Sequence, residues 1–230
     1  MPIDFSRIKG LCFDVDGTIS DTDDVWVENL ERFFRPLRFL SKNGNLRPFA
    51  RWLVMVTESP MNELYRWADS LSLDDNFARL YERLSKHRRK TIRPFILMKG
   101  ARELLDYVHS RFPLTVVSAR DKNSTREFLE RFDIHTLFCE VVTSQTCERG
   151  KPYPHPVIYA AQRMNLSPED CVMIGDTTVD VLAGKRAGAQ TVGLLCGFGT
   201  EDELRRAGAD LIVNDLSDLL TLLKENFDSV

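Results

Sequence analysis

The sequence lacks the marks of several large protein classes. No stretch approaches the roughly 20 consecutive apolar residues that a bilayer-spanning helix needs, and the opening MPIDFSRIKG has no apolar core of the secretory kind. A soluble, cytoplasmic chain with no membrane partner is therefore expected. Cysteines are few and scattered: Cys12, Cys139, Cys147, Cys171 and Cys196 are odd in number and include no C-x-x-C pair. That argues against a zinc or dithiol centre and for free thiols in a reducing compartment. A basic surplus is missing too. The 31 Lys+Arg against 34 Asp+Glu leave a formal net charge of -3, which does not suit a protein that lives on nucleic acid. The four histidines show no metal-ligand spacing, although His155 lies close to Lys151 in sequence. Nucleotide and calcium loops are incomplete. Gly197-Phe198-Gly199 has no third glycine, Gly150-Lys151 has neither the upstream glycine nor the downstream hydroxyl of a P-loop, and Ile19 stands where a calcium loop beginning at Asp14 needs glycine.

What is present suits an ordinary folded chain: 230 residues, 43% hydrophobic and 28% charged, enough to bury a sizeable core. Short apolar runs at 8–15, 114–118, 138–143, 171–175, 191–195 and 211–213 read as strands covered on both faces. Helical patterns separate most of them. Ala101, Leu104, Leu105, Val108 and Phe112 share one helix face ahead of the second strand, with Pro113 as a stop. Further helices are expected at 122–132, 156–164 and 179–187, the last ended by Gly188. This alternation predicts an α/β fold built on a doubly wound parallel sheet.

Between the first two strands lie about a hundred residues without a strand signal but with apolar helical stripes, the first being Trp26, Leu30, Phe33, Phe34 and Leu37. The expected organisation is a core of residues 1–20 and 94–230 with a small α-helical domain, 21–93, inserted after the first strand. Arg35, Arg38, Lys42, Arg47 and Arg51 in that insertion could meet an anionic substrate, but a solvated basic face is the favoured reading of each.

Ligands of a parallel sheet gather at the carboxyl ends of its strands. There the sequence places Asp14-Val15-Asp16-Gly17-Thr18, Ser118-Ala119-Arg120 and Gly175-Asp176-Thr177-Thr178-Val179-Asp180, with Lys151 in a Gly-Lys-Pro-Tyr-Pro loop after the third strand. Singly, each has an ordinary explanation: Asp16-Gly17 as a turn, Asp180 as an early-helix carboxylate, Ser118 as a helix cap, Lys151 as a solvated side chain. Together they suggest chemistry. Asp14 and Asp16, two residues apart past a strand, can divide the roles of nucleophile or metal ligand and proton carrier. Converging carboxylates call for a hard cation, most naturally Mg²⁺. The Ser118 hydroxyl, neighbouring backbone N–H groups and the Lys151 ammonium suit phosphoryl oxygens, and the whole set suits phosphoryl transfer to a carboxylate.

The motifs D-V-D-G-T, S, K-P-x-P and G-D-x-x-x-D, in that order, closely resemble those of the haloacid dehalogenase-like (HAD) hydrolases, and the insertion resembles the helical cap of their phosphoglycolate phosphatase and β-phosphoglucomutase branch. The resemblance implies a Rossmann-like HAD core in which Asp14 attacks phosphorus, Asp16 protonates the leaving oxygen and later activates water, and Lys151 steadies Asp14. It implies Mg²⁺ on the Asp14 carboxylate, the Asp16 backbone carbonyl and Asp176, with Asp180 supporting the metal shell, and a phosphoryl group on Ser118, Ala119 and Lys151. An aspartate at position 16 points to phosphate esters rather than to haloacids or phosphonates. The expected activity is hydrolysis of a small phosphorylated metabolite. A sugar-phosphate mutase is the alternative on the same residues, and a dehalogenase, a signalling receiver or a silent phospho-ligand binder is less favoured. Monomer and homodimer stay open. Ser118-Ala119-Arg120 departs from the threonine-asparagine second motif common in the branch.

Overall fold

In the computed structural model, which describes residues 2–21 and 95–228, the apolar runs form one parallel sheet. Its strands are β1 (Gly10–Phe13), β2 (Leu114–Val117), β3 (Glu140–Val142), β4 (Cys171–Gly175), β5 (Gln190–Leu194) and β6 (Leu211–Val213). The helices among the described residues are α1 (Ala101–His109), α2 (Lys122–Arg131), α3 (His155–Arg163), α4 (Thr178–Ala187), α5 (Glu201–Ala207) and α6 (Leu216–Phe227). The strand order is β3-β2-β1-β4-β5-β6. The chain steps outward from β1 through β2 to β3, then returns to the other side of β1 to lay down β4. The order therefore reverses between β1 and β4, whose carboxyl ends border the crevice where such sheets bind ligands.

The runs are continuous rather than alternating because both sheet faces are covered. Every residue of β1, β2, β4 and β5 is buried. On one face Cys12, Val117 and Met173 pack with Val157, Ala160 and Ala161 of α3 and Ala183 of α4. The alternation of side chains along a strand sends Leu11 and Phe13 to the opposite face. There Phe13 meets Phe138 edge-on, with ring centroids 6.4 Å apart. α1 and α6 pack on each other, α1 burying Ala101, Leu104, Leu105 and Val108.

Several boundaries differ from the sequence reading. α1 ends at His109, because the N–H groups of Arg111 and Phe112 both turn back to the Val108 carbonyl before Pro113 is reached. Phe112 thereby leaves the helix face and stacks edge-on against Phe227, with centroids 5.1 Å apart. α5 and α6 are additions to that reading. Thr200 and Glu203 close a capping box at the start of α5, and Asp215 caps α6 through the N–H groups of Ser217 and Asp218.

The expected helical insertion, with its five basic residues, lies outside the described residues apart from Asp21. The chain on either side of it is joined: Ser20 and Leu97 form an antiparallel bridge, the Asp21 N–H donates to the Ile96 carbonyl at 2.9 Å, and the Met98 N–H donates to the Ile19 carbonyl at 2.9 Å.

Candidate active site

Asp14 follows β1 directly, and its N–H continues the ladder to the Ile174 carbonyl of β4 at 2.9 Å. Its side chain is buried and accepts from the Lys151 Nζ at 2.6 Å. Lys151, also buried, arrives on the loop between β3 and α3 and donates equally to Asp180 Oδ1 at 2.6 Å. The second oxygen of Asp180 accepts from the N–H and hydroxyl of Thr177 at 3.0 and 2.6 Å at the start of α4. Asp180 is thus both the early-helix carboxylate of the plain reading and a member of the charged cluster.

Burial pushes the Asp14 carboxyl up to about 7; Lys151 opposes the rise, while Asp180 and Asp16 add to it. Burial likewise works against the Lys151 ammonium, yet Asp14 and Asp180 outweigh it and hold Lys151 above the ordinary lysine range. One ammonium does not balance the acidic charge collected here.

Asp176 follows β4 and is fully buried. The Thr18 hydroxyl donates to its Oδ1 at 3.2 Å and the Phe198 N–H to its Oδ2 at 2.7 Å. Glycine lets the surrounding backbone come this close. A Cβ at Gly17, which sits at φ +74°, or at Gly197 would occupy the space of the Asp176 carboxylate. Asp14, Asp176 and Asp180 each offer an oxygen, and these lie within 4.8 Å of one another. Three buried carboxylates with a single ammonium fit a small hard divalent cation by charge and by donor type.

Asp16 lies in the turn after Asp14 and stands apart from that carboxylate group. Arg120 grips it from the turn after β2: Nε donates to Oδ2 at 2.6 Å, and Nη2 donates to Oδ1. Ser118 ends β2, with its N–H on the Val142 carbonyl at 2.9 Å. Its hydroxyl oxygen accepts from the Arg120 N–H at 3.1 Å, which leaves the hydroxyl proton to donate elsewhere. Ser118 does not cap α2; Asp121 does, through the N–H groups of Asn123 and Ser124. Ala119 is exposed between Ser118 and Arg120. His155 is exposed at the start of α3, where its ring neighbours Tyr153.

The sequence reading missed three contributors. Thr18 was quoted within its motif but given no task. Arg120 was noted only as a departure. Gly197-Phe198-Gly199 is incomplete as a nucleotide loop, yet its backbone wraps Asp176; a glycine pair three residues past the end of β5 is the available signal.

The raised Asp14 carboxyl has a consequence for stability. Between the ordinary value of 3.8 and about 7, the folded chain holds a proton that the unfolded chain has released. The stability from this group is complete below the lower value and is lost as pH rises through the upper one. In EDTA, Asp14→Asn is expected to melt at least about 2 °C above the native protein near pH 8, the shift produced by roughly 1 kcal/mol in a chain of this size. The gap should shrink as pH falls towards 4. Parallel melting temperatures across that range, followed by circular dichroism, would show that Asp14 is not the destabilised group.

Comparison with known proteins identifies the family of the chain. The model of the family described as Haloacid dehalogenase-like hydrolase matches residues 11–194. Pyrophosphatase PpaX of Oceanobacillus iheyensis is 24% identical over 220 residues, covering 96% of this chain and 99% of its own. Phosphoglycolate phosphatase of Escherichia coli is 24% identical over 238 residues, covering 95% and 94%. Among solved structures, a hydrolase from Pseudomonas syringae superposes with a TM-score of 0.69 at 26% identity, covering 94% and 98%. A structure described as a putative β-phosphoglucomutase from Thermotoga maritima has a TM-score of 0.67 at 23% identity, covering 95% and 99%. The acidic crevice at the reversal of strand order is therefore set in a chain that belongs to the haloacid dehalogenase-like hydrolases.

Proposed function

We propose that the chain is a Mg²⁺-dependent phosphatase that hydrolyses a small phosphorylated metabolite through an aspartyl-phosphate. The observation that carries this reading is the placement of Asp14: a buried carboxylate at the end of β1, held by Lys151 at 2.6 Å, with a second aspartate two residues on. The relatives named as phosphatases support it, and the net charge of -3 argues against nucleic acid as the substrate.

In the first step an Asp14 oxygen bonds to phosphorus as the bond from phosphorus to the leaving oxygen breaks, and Asp16 gives its proton to that oxygen. In the second step water attacks the same phosphorus while Asp16 takes a proton from it. The bond from phosphorus to Asp14 breaks, and the carboxylate and inorganic phosphate are released. Lys151 orients Asp14 and offers positive charge to the phosphoryl group, to which the Ser118 hydroxyl and the Ala119 N–H donate. Asp14 and Asp176, with the Asp16 backbone carbonyl, would hold Mg²⁺, and Asp180 would support them. Mg²⁺ supplies positive charge that offsets the repulsion between the acidic site and the phosphoryl oxygens. Residues 21–93 are proposed as a helical cap that selects the substrate and excludes water.

A cytoplasmic location accords with five free cysteines and with the lack of a helix long and apolar enough to cross a membrane among the described residues.

Phosphate release from a panel of phosphorylated metabolites, including phosphoglycolate and pyrophosphate, should require Mg²⁺ and stop in EDTA. Asp14→Asn should abolish it, and Asp16→Ala should lower the rate at least about 10²-fold, the usual contribution of general acid–base catalysis. Isomerised product without phosphate release would instead establish a mutase. Gly197→Ala, by displacing the Asp176 carboxylate, should raise the Mg²⁺ concentration for half-maximal rate about 10-fold or more, in line with other changes that disorient a ligand. An unchanged Mg²⁺ requirement would remove Asp176 from the metal site.

A further inference from the structure

Arg120 belongs to the Ser118-Ala119-Arg120 segment in which this chain departs from its resemblance, and its side chain is firmly anchored near the crevice. Its guanidinium meets both oxygens of Asp16, through Nε at 2.6 Å and through Nη2. Nη2 also donates to the Ser20 hydroxyl at 3.3 Å. The group lies over the Phe128 ring, 5.5 Å from its centroid, and is buried. The Arg120 backbone is fixed as well: its N–H donates to the Ser118 hydroxyl oxygen at 3.1 Å, and its carbonyl accepts from the Ser144 N–H and hydroxyl, both at 3.1 Å.

A two-point guanidinium–carboxylate contact fixes the plane of the carboxylate, whereas a single ammonium fixes only a distance. Asp16 is a short side chain in the turn after β1, and the Arg120 fork meets both of its oxygens. General acid–base catalysis demands that they face the leaving oxygen and then the attacking water within hydrogen-bond reach. Nε and Nη2, the two nitrogens that meet Asp16, are engaged by Asp16 and Ser20 with the guanidinium over Phe128, so this edge of the group holds a neighbour rather than substrate.

We infer that Arg120 is a positioning residue that orients the Asp16 carboxylate for proton transfer to the leaving oxygen and from water. The inference rests on the phosphatase reading and gives Arg120 no contact with substrate.

The test is a double-mutant cycle with Arg120→Gln, Asp16→Ala and the pair together, using an alkyl phosphate that the native protein hydrolyses and 4-nitrophenyl phosphate, whose leaving group departs with little help from a proton. Arg120→Gln should lower kcat on the alkyl ester about 10- to 100-fold with KM within about twofold, as expected when a general acid–base group is misplaced rather than deleted. The loss on 4-nitrophenyl phosphate should be smaller. Once Asp16 is alanine, removing Arg120 should cost no more than about twofold further, because the residue it serves is gone. Arg120→Lys keeps the charge and the apolar stem over Phe128 but not the fork, and it should remain impaired. It carries the same cycle if Arg120→Gln fails to show native-like circular dichroism.

Losses that multiply in the double variant, or a rise in KM with kcat intact, would overturn the assignment and make Arg120 an independent or substrate-binding group. Full activity in Arg120→Lys would overturn the need for a two-point contact. If the native protein releases phosphate from no ester, the phosphatase reading falls and this inference falls with it; native activity with an unaffected Arg120→Gln removes the inference alone.

Discussion

A buried ammonium shared by two buried carboxylates is the constraint around which the crevice is arranged. Lys151 reaches Asp14 and Asp180 at 2.6 Å each, and all three side chains are almost wholly removed from water. Charges in such surroundings persist only when paired and hydrogen-bonded, and removing the ammonium would leave two buried carboxylates without a counter-charge, a loss that commonly costs about 3–5 kcal/mol. The same contact ties three parts of the chain together: the end of β1, the loop after β3, and the first turn of α4, where the second Asp180 oxygen serves the Thr177 N–H and hydroxyl. The strand order makes this possible, since β1 and β4 are neighbours and the loop from β3 returns across their ends.

The carboxylates are told apart by the chemistry of what holds them. Asp14 has a lysine, a compact charge that tolerates small movements of the group it faces. Asp16 has a guanidinium that fixes its plane. Asp176 receives the Thr18 hydroxyl and the Phe198 N–H. Neutral donors of this kind orient a carboxylate without cancelling its charge, which suits its proposed place beside a cation. Three aspartates of identical structure are thus held in three different ways.

The strand ends were legible because apolar runs terminate sharply in polar residues. Asp14, Ser118 and Asp176 each follow the last residue of a strand, within a residue of where the runs stop. Lys151 and Asp180 were legible through their motifs, although their mutual contact spans 29 positions and no local pattern announces it. Arg120 was harder. Its partner is 104 positions away, and an arginine after Ser118-Ala119 reads as solvent-facing until the fold brings Asp16 beside it. The Gly197-Phe198-Gly199 backbone was invisible for a different reason: its contribution is an N–H, which every residue but proline carries, and only the close approach permitted by glycine marks it. Pro113 misled because chain reversal is set by the carbonyl of Val108, one turn earlier. The strands and α1 to α4 could be read from periodicity, whereas α5 and α6 could not, and residues 22–94 lie outside the described part of the chain.

The pairing of Ser20 with Leu97, flanked by hydrogen bonds from Asp21 to Ile96 and from Met98 to Ile19, seals the core across the point where the insertion departs. To the sheet, the intervening segment is a loop whose ends are already joined. The entropy of closing such a loop grows only with the logarithm of its length, each doubling adding roughly 0.6 kcal/mol. The core can therefore tolerate insertions of very different size and sequence at this one junction with little change in its own stability. A change of length or sequence between Asp21 and Phe95 therefore need not move the aspartates, the lysine and the arginine at the strand ends of the core.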